Sequence, residues 1–241
     1  MMNRFMNSGR SLWVLLLGSL LAACGGGGSD GVSVDNTLGY TAKLNNLTNG
    51  QPLSPAVVVL HRPGYVAFEV GTVASTELER LAEGGDTTAF VQAAEADPNV
   101  VAVKTMTTGI APGIVEALDI SIPIGERTDL LITAVSMLTN TNDGFAGLEQ
   151  INISSLSVGD SAEFMLDAYD AGTEANTESQ ATVPGLGGTG FDATRDDPDP
   201  TAVVTRHPGV VSGVDGLTSS DLTQAHRFDN PVIQVTITRT R

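Results

Sequence analysis

Apolar and polar residues alternate with a period of two in several stretches of the chain. In YTAKLNNL, Tyr40, Ala42 and Leu44 fall on one side and Thr41, Lys43 and Asn45 on the other. LDISIPI sets Leu118, Ile120, Ile122 and Ile124 against Asp119, Ser121 and Pro123, and AEFMLDAY aligns Ala162, Phe164, Leu166 and Ala168. PVIQVTITR opposes Ile233, Val235 and Ile237 to Gln234, Thr236 and Thr238. Successive strand side chains point to opposite faces, so each stretch predicts a half-buried β-strand. AVVVLH and DLLITAVSML are apolar throughout and read as central strands, a signature shared with a short buried helix.

One segment departs from this period. STELERLAEGGDTTAFVQAAEADP spaces Thr76 and Glu79 as a capping box and gathers Leu78, Leu81 and Ala82 on one helical face. Gly84-Gly85 ends that helix, and Asp86 can cap a second one carrying Phe90, Val91 and Ala94. The helical signal does not alternate with the strands. The prediction is therefore an all-β antiparallel sandwich with a short helical insertion near residues 75–95, rather than an α/β sheet.

The first residues change the picture of where the chain works. MMNRFMNSGR carries Arg4 and Arg10 and no acid, and SLWVLLLGSLLAAC follows as an apolar run too short for an ordinary spanning helix of about 20 residues. It closes on Leu21-Ala22-Ala23-Cys24, which resembles a bacterial lipobox. That resemblance implies cleavage after a signal peptide of residues 1–23, lipidation of Cys24 and anchoring in a membrane by its acyl chains. GGGGSDGVSVDN, within residues 24–37, has the composition of a flexible tether, leaving 38–241 as one domain. Gly25 rather than Asp follows the cysteine, which favours an outer-membrane lipoprotein. Cys24 is the sole cysteine, so no disulfide supports the domain.

Charge excludes one class of partner. The net charge is −16, becoming −18 once Arg4 and Arg10 leave with the signal, and the lysines are Lys43 and Lys104 alone. Nucleic-acid binding needs clustered cations to displace counterions from phosphates, so it is not expected.

Motifs for chemistry are sparse. No G-x-S-x-G elbow between a strand and a helix and no paired His/Cys metal spacing is found, and His61, His207 and His226 read as surface or strand-edge residues. GLGGTG at 185–190 opens on FDATRDDPDP rather than a helix and reads as a flexible loop, not a phosphate site. Carboxylates remain: Asp143 in TNTNDGF, Asp170 and Glu174 in YDAGTEANTES, and Asp192, Asp196, Asp197 and Asp199 in the Asp-Pro-rich loop. Turns of this kind can supply oxygens to Ca²⁺, although Asp and Asn before Gly also form ordinary solvated corners.

Taken in order, NLTNGQPLSPAVVVLH, GTVASTELERLAEGGD, SMLTNTNDGFAGLE, DAGTEANTE and VTRHPGV resemble the spondin-type domain, in bacterial relatives of the F-spondin N-terminal domain. The resemblance spans about residues 38–240 and implies an antiparallel β-sandwich of about eight strands. It also implies a calcium site, with one acid after a Ser-Met-Leu strand and two from an Asp-Ala-Gly-Thr-Asp turn. Carried over by motif, these fall on Asp143, Asp170 and Glu174, with Glu replacing the last Asp and Asn-Asp-Gly-Phe replacing Pro-Asp-Trp-Phe.

The function expected is a lipid-anchored, calcium-binding, non-enzymatic module of the bacterial envelope, adhering to a protein or glycan ligand. The alternatives are a carbohydrate-acting hydrolase using Asp170 or Glu174 as acid or base, and a passive structural envelope protein. Against the hydrolase, the only Trp, Trp13, lies in the signal and leaves no tryptophan platform for a sugar.

Overall fold

Nine strands and two helices follow one another in the computed structural model, which describes residues 35–195 and 202–241. The strands are β1 (Thr37–Asn46), β2 (Val57–His61), β3 (Val100–Thr105), β4 (Val115–Pro123), β5 (Leu131–Met137), β6 (Gly144–Asn152), β7 (Ser161–Asp170), β8 (Thr205–Arg206) and β9 (Ile233–Arg239). Helices α1 (Thr76–Gly84) and α2 (Thr88–Ala96) stand between β2 and β3. Asn36–Arg241 form one compact unit. The signal peptide expected at residues 1–23, Cys24, most of the expected tether, and Asp196, Asp197 and Asp199 lie outside the described residues.

All strand pairs are antiparallel, in the order β3-β2-β5-β6-β7-β9-β1-β4, with β8 added to β7. β7 joins the two layers. Its first part, Ser161–Leu166, pairs with β9, and its last part, Asp167–Asp170, pairs with β6. The sandwich is thus a nearly closed, barrel-like sheet, open where β3 and β4 end the order.

The period-two strands bury the faces their sequences predict. Leu38, Tyr40, Ala42 and Leu44 of β1 meet Ile233, Val235 and Ile237 of β9, Leu166 of β7, and Ile120 and Ile122 of β4 between the layers. Ile124 falls beyond the end of β4, in a 3-10 turn, and is exposed. β2 and β5 are buried on both faces, which explains their unbroken apolar runs. Val58, Leu60, Ile132 and Ala134 point into the main core, whereas Val57, Val59 and Val135 pack beneath Leu78, Leu81 and Ala82 of α1 and Phe90 and Ala94 of α2.

The cap of α1 lies one residue before its expected place. Ser75 has extended backbone, and its hydroxyl accepts a hydrogen bond from the Leu78 N–H at 3.2 Å. Thr76 is already helical, and Glu79 turns inward to pair with Arg195 at 2.6 Å. Gly85 ends the helix at φ +67°. Asp86 accepts from the Thr88 N–H at 2.9 Å, so it does serve the start of α2.

Candidate functional site

The site forms at one end of the sheet, where the β5–β6 loop meets the chain leaving β7. Ser54 orders the exit from β5: its hydroxyl accepts the Met137 N–H at 3.0 Å, and the Ser136 hydroxyl donates to Ser54 O at 2.8 Å. The loop then closes on itself, because Thr141 Oγ1 donates to Leu138 O at 2.7 Å and accepts the Gly144 N–H at 2.9 Å. This places Asp143 inside the protein, with 0 % exposure. A Cβ on Gly144 would stand 2.5 Å from Thr141 Oγ1 and 3.0 Å from His207 Cδ2, so only glycine lets the His207 ring approach.

The turn after β7 wraps around the Asp143 carboxylate. Asp143 Oδ2 accepts the Thr173 N–H at 2.7 Å, the Thr173 hydroxyl at 3.2 Å and the Glu174 N–H at 3.2 Å. Asp170 shapes the same turn by accepting the Gly172 N–H at 2.8 Å on Oδ1 and the Asn176 side-chain amide at 2.6 Å on Oδ2. Gly172 adopts φ +68°, and a Cβ there would lie 2.6 Å from Val203 O. Glycine is required on both counts.

Asp143, Asp170 and Glu174 are therefore brought into one buried turn system, and the solvated-corner reading of YDAGTEANTES is overturned. Asp170 is 6 % and Glu174 7 % exposed. Backbone N–H groups that would otherwise face water are turned onto carboxylates instead.

Burial unbalances the charges. Desolvation, then the nearby negative charge of Asp170, pushes the Asp143 carboxyl up to about 7 despite three hydrogen bonds that favour its ionised form. Its other oxygen, Oδ1, is buried and has no hydrogen-bond partner. None of the ion pairs among the described residues involves Asp143 or Asp170. A buried carboxylate in this state calls for a proton or a cation.

Two neighbours were not read as site residues from sequence. Glu178, 1 % exposed, sits in the left-handed region at φ 57°, with its N–H on Asn142 Oδ1 at 3.1 Å. Burial, with Asp170 adding repulsion, pushes its carboxyl up to about 7. His207 is 5 % exposed rather than a surface residue; Gly209 N–H donates to its Nδ1 at 3.0 Å, and its buried Nε2 has no partner. Burial lowers it to about 4, against the pull of Asp170. His61 is also buried, held by Arg62 O and Thr133 Oγ1, and serves the β2–β5 interior. The signal for Glu178 was its place in the same acidic stretch; for His207 it was VTRHPGV, one of the motifs carrying the resemblance.

The glycine stretch at 185–190 is a packed surface rather than a loose loop at its start. Gly185 N–H donates to Thr139 O at 2.7 Å, and a Cβ there would lie 2.1 Å from Asn140 Oδ1. It braces the Asp143 loop from behind. Asp192 is drawn away to α1, its N–H donating to Glu83 at 3.0 Å.

Oxygen-only donors with one unpartnered buried carboxylate oxygen suit a hard cation in their chemistry. Among the described residues, however, no three His, Cys, Asp or Glu side chains stand arranged to hold a metal ion as they are.

An antiparallel β domain that buries acids in the loops at one end of its sheet is the class these features define. A family model described as Spondin_N matches residues 46–184, more than half the chain and including Asp143, Asp170 and Glu174. The chain belongs to the Spondin_N family. Among curated proteins, none matches it.

Proposed function

We propose that the protein is a calcium-binding, non-enzymatic binding or adhesion module, held at the bacterial outer membrane by lipid on Cys24. The single observation that supports the cation is Asp143 Oδ1, fully buried, without a hydrogen-bond partner, and repelled by Asp170. Asp143, Asp170 and Glu174 would hold the ion. Calcium would supply positive charge to a buried acidic turn and fix the loops that bear it, leaving the end of the sheet rigid for a protein or glycan ligand. Burial speaks against the hydrolase, because a glycosidase pair must flank a bond in a cleft that a sugar can enter, and Asp170 and Glu174 are only 6 % and 7 % exposed. The spondin-type family also points to a binding module rather than a catalyst.

Calorimetric and thermal titration of the full chain with calcium tests this reading. Heat of binding and a rise in melting temperature are expected, both lost in Asp143→Ala with Asp170→Ala. Absence of heat in the natural sequence, or a shift that survives the double substitution, would remove the calcium. In cells, Cys24→Ser should release the protein from the membrane fraction; retention there would remove the lipid anchor.

A further inference from the structure

We propose that the end of the sheet at which β1 begins is a docking surface for phospholipid headgroups, which turns the buried acids away from the membrane; this rests on the lipid anchor proposed above. Register places the two ends. Thr37 opens β1 opposite Pro123 at the close of β4, Tyr40 is opposite Arg239 of β9, and Thr238 of β9 is opposite Ser161 at the start of β7. Asp170 closes β7 at the other end. Cys24 precedes Asp35 by eleven residues, a reach of at most about 40 Å, so lipid on Cys24 keeps the start of β1 close to the bilayer.

Two apolar side chains face outward at this end. Ile124, in the 3-10 turn Ile124–Arg127 after β4, is 55 % exposed, and Val158, in the β6–β7 loop, is 60 % exposed. Hydrogen bonds join the two loops into one platform. Arg127 donates from Nε to Ser154 O at 3.1 Å and from Nη2 to Leu156 O at 3.3 Å. Arg239 Nη1 donates to the same Leu156 O at 2.9 Å, and Arg239 O accepts the Gly159 N–H at 2.8 Å. The Ile124 N–H donates to Asn36 O at 2.8 Å, which fixes the turn beside the start of β1. Ile124 and Val158 are thus held where only an apolar phase from outside can bury them.

Charge selects a membrane as that phase. Arg62, Arg127, Arg239 and Arg241 belong to this end, four of the ten Lys and Arg left when Arg4 and Arg10 are removed. The acids there are Asp35, Asp119, Glu126, Asp129 and Asp160; Glu126 pairs with Arg62, and Asp160 accepts the Ser157 N–H at 2.9 Å. These charges nearly cancel, in a chain of net charge −16. At the other end Asp143, Asp170, Glu174 and Glu178 are joined by Asp215 and Asp221, while Arg206 and Arg227 are already paired with Asp167 and Asp215. An anionic lipid surface repels that end and accepts this one. Val214 is more exposed than Ile124, but it stands next to Asp215 at the acidic end. Arg127, exposed and three residues from Ile124, offers its guanidinium to phosphate oxygens, whose geometry it matches.

The test uses the full chain, lipidated in a bacterium and reconstituted in vesicles of phosphatidylethanolamine and phosphatidylglycerol. With Cys24 acylated, Ile124→Cys and Val158→Cys each supply a sole thiol for an environment-sensitive fluorophore, and Val214→Cys is the reference at the acidic end. The first two labels should shift to the blue and be quenched by nitroxide-bearing lipid, and the third should do neither. Two positions keep the test decisive should circular dichroism show one variant misfolded. If the chain floats with the vesicles but the first two labels stay as exposed as the third, or the third alone is quenched, the docking falls and the anchor stands. If the chain does not float with the vesicles, anchor and docking fall together.

Discussion

Asp143 holds its place against its own charge. The hydrogen bonds from Thr173 and Glu174 require an acceptor at Oδ2, but nothing in them requires ionisation. Asp143→Asn keeps that acceptor and removes the repulsion from Asp170. Urea unfolding at pH 8 in the presence of a chelator should show the variant more stable than the natural chain, by about 1–3 kcal/mol. The same variant should lose most of its stabilisation by calcium. A destabilised variant under chelation would mean that the ionised carboxylate is itself the better partner for the turn.

At the level of elements, the strands that bury one face were legible because one residue in two repeats the same environment. β1, β7 and β9 carry that pattern over most of their length. β6 does not: Gly144 and Gly147 interrupt it, and a Cβ on Gly147 would sit 2.5 Å from the Phe68 ring. Its place in the sheet depends on a contact from a distant loop, which no local period encodes. The two-residue β8 exists only through pairing with Tyr169 and Asp170. The site was legible to the same degree. The family resemblance named Asp143, Asp170 and Glu174, which the fold gathers in one buried turn system, whereas Glu178 and His207 join that system by tertiary burial that composition cannot report. The start of α1 rested on a choice between neighbouring hydroxyls, and Ser75→Ala is expected to lower stability by about 1 kcal/mol, measured by denaturant unfolding. Thr76→Ala should have a smaller effect; the reverse order would restore the cap to Thr76.

The whole molecule carries a second buried acid problem away from the site. Glu149 accepts the Ala67 and Phe68 N–H groups at 2.8 and 3.0 Å, which docks the segment before α1, yet burial pushes it up to about 7. With Asp143 and Glu178 it forms a set of acids that bind protons more tightly folded than unfolded. In the metal-free chain each therefore subtracts stability as pH rises from its unfolded value near 4 to about 7. His207, lowered to about 4, and His61, also lowered by burial, act in the opposite sense, adding stability as the unfolded imidazoles lose protons up to about 6.5. The acids outnumber them, so melting under chelation should be higher near pH 5 than pH 8. Glu149→Gln should reduce that difference by up to about 3 kcal/mol, and an unchanged slope would show that Glu149 ionises freely.

β7 gives the domain an indivisible mechanical character. Because its two halves are paired to different layers, neither layer can peel away as a separate folding unit without tearing a strand that the other still holds. A pull on the end of the sheet would load β7 along its length, shearing both sets of hydrogen bonds together. Asp170, its last residue, lies at the end of that line, where the buried acids begin.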